Sequence, residues 1–207
     1  MPYLGTQPND VKKNTGLYTP SEILQLEKDG NWGGSLEHII TSTASSSTVD
    51  FVDKFNEFSV YFIQMINCVP TTQTEFGLKF SNDSGSSYET GTYHFANQRC
   101  FANGTFEDRR SQSQTSIRLG GDVETSDSFN SYIYIYNANS STQYTFVTHQ
   151  SVFTATSGGG DFGNEYGSAV YRQEEVVNGI RLGEATTTSA FTSGTVKLFG
   201  IKRIWVL

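Results

Sequence analysis

The chain has 207 residues, 36% of them apolar and only 17% charged, and its 14 Lys and Arg against 21 Asp and Glu leave a net charge of −7. That length suffices for one large domain with a sizeable core. The recurrent Phe, Tyr, Val and Ile argue against disorder, and the acidic balance argues against a phosphate-tracking surface, and so against DNA, RNA or an anionic membrane as partner.

The N-terminal MPYLGTQPND has neither a basic nor an apolar signal region, so no secretory signal is expected and the product starts life in a cytoplasm. Residues 1–35 read as a polar arm, punctuated by Pro and Gly, that carries one helix over about 20–29. Thr19 stands as N-cap, Pro20 fits the first helical position, and Glu22 completes a capping box. Tyr18 and Ile23 form a hydrophobic staple, Lys28 suits the dipole of the last turn, and Gly30 suits the left-handed position after it. Ile23, Leu24, Leu26 and the nearby Trp32 make an apolar patch too large for so short a helix to bury alone. With Tyr18 they are candidate docking residues, covered either by the body or by a partner.

From Leu36 onward the period changes to two, and residues 36–207 read as a β-sandwich domain. Strands are predicted over 36–44, 47–52, 57–67, 75–82, 86–95, 115–120, 131–138, 142–155, 168–172, 175–183 and 194–206, separated by turn chemistry such as NDSGS, ANGT and SGGGDFG. No helical stretches lie between them, so the expected fold is all-β, an antiparallel jelly-roll-like sandwich. Two strands are apolar on both sides. In EFSVYFIQMIN, Phe58, Val60 and Phe62 share one face and Tyr61, Ile63 and Met65 the other; in GTVKLFGIKRIWVL, Val196 and Leu198 oppose Phe199, Ile201 and Trp205. Such strands are expected to be covered on both sides, by the N-terminal helix or by another subunit.

Candidate chemistry is sparse. The literal G-x-G-x-x-G of Gly158, Gly160 and Gly163 lacks a following helix and reads as a surface loop rather than a phosphate cradle. His38, His94 and His149 stand singly in strand patterns, as cross-strand packing residues. Glu174 and Glu175 would point to opposite faces of a strand, so a glycosidase pair is not expected. SNDSGSSYE, with Asn82, Asp83, Ser84 and Glu89 around Gly85, reads as a hairpin turn rather than a calcium site. Cys68 and Cys100 lack metal-ligand spacing and read as two buried or half-buried free thiols, with a disulfide between them as the alternative. No catalytic, metal or cofactor residues are assigned, and no cofactor is expected. The strongest binding candidate is SYIYIYNAN, where Tyr132, Tyr134 and Tyr136 share one face and Ile133 and Ile135 the other. The Ile face is expected in the core, and the Tyr face against neighbouring strands or a neighbouring chain. The alternative is a sugar-binding surface, since each tyrosine pairs an apolar ring with a hydroxyl.

PYLGTQP, the arm GLYTPSEILQLEKDGNWGGSLEHI, the stretch LKFSNDSGSSYETGTYHF read as a hairpin, and the ending SGTVKLFGIKRI together resemble virion structural proteins of tailed bacteriophages, particularly those of marine and cyanobacterial phages. The resemblance implies a non-enzymatic tail-fibre, tail-associated or capsid-decorating component with an attachment arm and a β-sandwich body. It also implies a homotrimer, other virion proteins as partners, and a virion location after assembly in the host cytoplasm. A carbohydrate-binding module that reads host surface glycan through the tyrosine face is the alternative, and an enzyme acting on glycans or esters is the third.

Overall fold

The computed structural model describes residues 20–21, 36–45, 48–155, 161–185 and 191–202. The chain divides into two compact units, Leu36–Ile201 and a second comprising Met1–Ser35 with Lys202–Leu207. Of the predicted helix only Pro20 and Ser21 are described, and both are helical. The docking candidates Tyr18, Ile23, Leu24, Leu26 and Trp32 lie outside the described residues, as does Trp205.

The larger unit is all-β. Its strands are β1 (Leu36–Thr43), β2 (Val49–Val52), β3 (Val60–Pro70), β4 (Thr74–Ser81), β5 (Tyr93–Phe101) and β6 (Phe106–Gln114). They continue as β7 (Ile117–Val123), β8 (Phe129–Tyr136), β9 (Thr145–Ala155), β10 (Asp161–Tyr171), β11 (Gly179–Glu184) and β12 (Phe191–Ile201). Every pairing is antiparallel. Eight strands form a large layer in the order β1-β12-β3-β8-β9-β10-β5-β6, and four form a small layer in the order β7-β4-β11-β2. The pair Val123–Ala155 joins the layers at one corner, so the whole sheet is nearly closed into a barrel.

Alternation along the strands puts the core between the layers. Tyr61, Ile63 and Met65 of β3, Ile133 and Ile135 of β8, and Val196 and Leu198 of β12 are buried against Phe76, Leu78 and Phe80 of β4. Aromatic rings tie the layers together. Phe76 stacks on Phe191 with centroids 5.1 Å apart and tilts onto Phe129 at 4.7 Å. The Tyr93 hydroxyl accepts the Phe80 backbone N–H at 2.7 Å, and burial pushes that phenol far above its usual range. At the edge of the small layer, Arg181 reaches across from β11 to Asp50 of β2 with two hydrogen bonds, its guanidinium 4.0 Å from the Tyr88 ring centroid.

Several expectations need correction. Residues 86–92 are bend and irregular chain rather than strand. NDSGS is not a hairpin, because β4 and β5 do not pair; it carries the chain from the small layer to the large one. Strand β10 begins at Asp161, ahead of the predicted 168–172, and the polar run FEDRRSQSQ forms β6, an edge strand that no apolar periodicity marks. Glu174 and Glu175 sit in the β10–β11 connection, where Glu175 accepts hydrogen bonds from Tyr171 and Asn82. Phe58 precedes β3 and turns inward, its ring edge-on to Tyr61 and over Gly200, where a Cβ would lie 2.2 Å from the ring. The Tyr61 hydroxyl fixes that bend by accepting the backbone N–H groups of Glu57 and Phe58.

Candidate functional site

The two faces of β8 separate as the sequence indicates. Ile133 and Ile135 are fully buried between the layers, and Tyr132, Tyr134 and Tyr136 stand on the outer face of the large layer. There they join rings from other strands. His38 of β1 meets Phe199 of β12 at 5.4 Å, Phe199 meets Phe62 of β3 at 5.9 Å, and Phe62 meets Tyr134 at 4.9 Å. Tyr134 lies 6.2 Å from Tyr132 and 6.4 Å from Tyr136. Centroid spacings of about 4.5–7 Å are those at which rings support one another, so the rings form one packed ridge. Tyr132 is 43% exposed. Its hydroxyl donates to Gln150, whose amide donates in turn to Asn164 at 3.3 Å.

Register carries this surface further. One row across the strands runs Gln64, Tyr132, Gln150, Tyr166, Gln98 from β3 to β5, alternating amide and ring. Beside it runs Tyr134, Thr148, Ser168, Ala96, where three small side chains follow the tyrosine, and beyond that Tyr136, Phe146, Val170, His94. Small residues between larger ones make a trough of about 600 Å³, floored by Ala96, Thr148 and Ser168 and flanked by Phe146 and Val170. A smaller hollow of about 270 Å³ lies beside Tyr132, next to Gln64, Ile66, Asn130 and Val152. The tyrosine ridge stands between the two.

The richest ionic chemistry lies elsewhere, between the layers. Arg99 of β5 is 1% exposed and Glu165 of β10 is fully buried. Arg99 Nε donates to Glu165 at 3.1 Å, and its Nη1 lies 3.2 Å from Asp122 and 3.3 Å from Glu107. Arg109 of β6 bridges Glu165 and Glu75, and Arg118 of β7 pairs with Glu75. Asn97 Nδ2 donates to Glu165 at 2.8 Å and to the Arg118 carbonyl at 2.9 Å, while Asn97 Oδ1 lies 3.3 Å from His149 Nε2. Burial pushes the His149 imidazole down to about 4 against the opposing pull of Glu165. Gly121 makes room for the guanidinium groups, since a Cβ there would lie 2.2 Å from Arg99 Nη2. Carboxylates so closely engaged by arginines are occupied, and the cluster acts as a polar clamp between layers rather than as an acid and base facing a substrate.

The remaining candidates do not converge. His38 and His94 are on the outer face at strands far apart in the layer, whereas His149 is inside. Cys68 is a buried free thiol, pushed up to about 12 by burial, and Cys100 is free and half-buried. Asp83 is held down to about 2 by the hydroxyl and N–H of Ser87 and the hydroxyl of Ser81, so protein donors take the oxygens a cation would need. Gly163 opens onto the Phe153 ring at 2.9 Å, with no helix after it. Among the described residues no group of three His, Cys, Asp or Glu is placed to hold a metal, and no helix is long and apolar enough to cross a membrane.

Residues of the trough and clamp escape a sequence reading that seeks apolar alternation. Their signal is polar residues at inward positions of otherwise apolar strands, Asn97 and Arg99 in YHFANQRCF and Glu165 in DFGNEYG, together with small residues at outward positions. Comparison with known proteins gives no relative: no protein-family model matches the chain, no curated protein matches it, and no solved structure matches it.

Proposed function

We propose that this chain is a non-enzymatic structural protein of a tailed-bacteriophage virion, a tail-fibre or adhesin component or a capsid decoration protein, attached through residues 1–35. The reading is supported by the sequence resemblance, and one structural observation carries it: a ladder of aromatic rings crosses the outer face of the large layer from β1 to β8. A surface of that kind is large and packed, costs little side-chain entropy on binding, and suits both self-association and recognition. The proposed partners are two further copies of the chain in a homotrimer, other virion proteins, and host surface glycan.

Deleting residues 1–30 tests the attachment. The body is expected to keep a cooperative melt, because its strands start at Leu36, and to vanish from purified particles, as read by mass spectrometry. A truncated chain that still incorporates in full would contradict attachment through the arm, and one that loses its melt would make the arm part of the core.

A second reading, a carbohydrate-binding module, is favoured by the exposure of Tyr132 and by the alternation of amides and rings in its row. It is compatible with the first.

A further inference from the structure

The trough on the outer face is chemically distinct from the ridge beside it. Phe146 is 46% exposed and Tyr136 half-buried, so two rings border a floor of methyl and hydroxyl groups from Ala96, Thr148 and Ser168. Among the described residues the side chains of His94, Arg110, Gln112 and Ser168 make no hydrogen bond or ion pair, so the lining offers a cation's donors, an amide's donors and acceptor, an imidazole and a hydroxyl. Among the described residues no carboxylate lines it. The trough lies across β9, β10 and β5, perpendicular to the strands, in line with Tyr134 at one end and open toward the edge strand β6 at the other.

We propose that this trough binds an extended neutral glycan lying across the strands, its sugar faces against Phe146 and Tyr136 and its hydroxyls on Ser168, His94, Gln112 and Arg110. The inference rests on the carbohydrate-binding reading and names its site, which is centred on β9 and β10 rather than on Tyr132 and Tyr134. The chemistry of the lining selects this occupant. Each sugar hydroxyl both donates and accepts, which matches a mixed set of unpaired donors and acceptors, and the apolar face of a pyranose suits an aromatic ring. An apolar surface from a second copy would leave those polar groups unpaired and desolvated, which is unfavourable. A volume of about 600 Å³ is that of an ordinary small-molecule site, so it holds a few sugar units and the open end lets a longer chain continue.

The test uses the full chain with three linear neutral hexose oligomers, cellohexaose, maltohexaose and mannohexaose, each compared with its disaccharide by titration calorimetry. At least one hexamer is expected to bind with a sub-millimolar Kd, and its disaccharide at least tenfold more weakly. Ser168→Trp fills the trough from its floor and is expected to melt like the parent while losing binding at least tenfold. Phe146→Ser, which removes a ring without filling space, is expected to weaken binding by a similar factor. Millimolar or absent binding of all three hexamers overturns the inference, as does unchanged binding by both variants. If Ser168→Trp instead changes only the oligomeric state, the trough is an interface between copies and the inference fails. Absent binding of all three hexamers would remove the carbohydrate-binding reading together with the site, whereas hexamer binding unchanged in both variants would remove the site alone and leave that reading standing.

Discussion

Glu165 and Arg99 show how one pair of residues can fix the spacing of two sheets. Neither reaches solvent, and their partners come from five strands, so the layers meet in the register that brings Glu75 and Asp122 over β5 and β10, although Arg99 Nη2 itself makes no hydrogen bond among the described residues. Desolvating such a cluster is expensive, and its contribution is to choose one arrangement rather than to add stability. Glu165→Gln leaves Arg99 buried beside an uncharged amide and is expected to cost about 3–5 kcal/mol, read as a lowered denaturation midpoint. The double change Arg99→Met with Glu165→Leu removes both charges and should recover much of that loss, and a double variant no better than the single one would show that the pair does not act as a unit. His149 adds a pH dependence. Its folded pKa, about 4, lies below the ordinary 6.5. The unfolded chain therefore takes up a proton that the folded chain refuses, and stability intact above pH 6.5 is lost as pH falls toward 4, by at most about 1.4 kcal/mol per pH unit. His149→Asn should flatten thermal melts between pH 6.5 and 4.5, and an unchanged slope would assign it to other groups.

At the level of elements, strand β8 is legible in the sequence because isoleucine and tyrosine alternate without interruption, a pattern that by itself assigns the two faces. The paired strands β3 and β12 are legible for a different reason, a long run apolar on both sides, which marks a strand without assigning its core face. Strand β6 is not, since its inward positions Glu107 and Arg109 face the clamp rather than an apolar core, and apart from Phe106 its outward positions are polar too. The first half of β10 is hidden by glycine, used at Gly163 because the ring of Phe153 occupies the place of a side chain. The tyrosine candidates are visible as a triplet, but their extension through Phe62, Phe199 and His38 depends on register, which a linear sequence does not give. Packing also separates the tyrosines energetically. Tyr132→Ser removes a half-exposed ring and should cost under about 1 kcal/mol. Tyr134→Ser removes a ring held by Phe62, Tyr132 and Tyr136 and should cost about 2 kcal/mol. Equal losses in thermal denaturation would contradict a ladder with Tyr134 at its centre.

For the whole molecule, the two faces of the large layer divide the work. The inner face, with its aromatic stacks and ionic clamp, holds one fold together, and the outer face presents rings together with polar side chains, of which His94, Arg110, Gln112 and Ser168 have no hydrogen-bond partner among the described residues. The proposed homotrimer requires that outer face to serve contact as well as stability. Light scattering should give three times the chain mass at micromolar concentration, and a stable monomer would remove the trimer. The most direct measurement is electron cryo-microscopy of an intact particle assembled with this chain. Repeated threefold density is expected on the tail or the capsid, with the arm toward the particle and the ridge of Tyr132, Tyr134 and Tyr136 facing another copy or the exterior. Particles complete and infectious without any density for the twelve-stranded body would contradict the virion role.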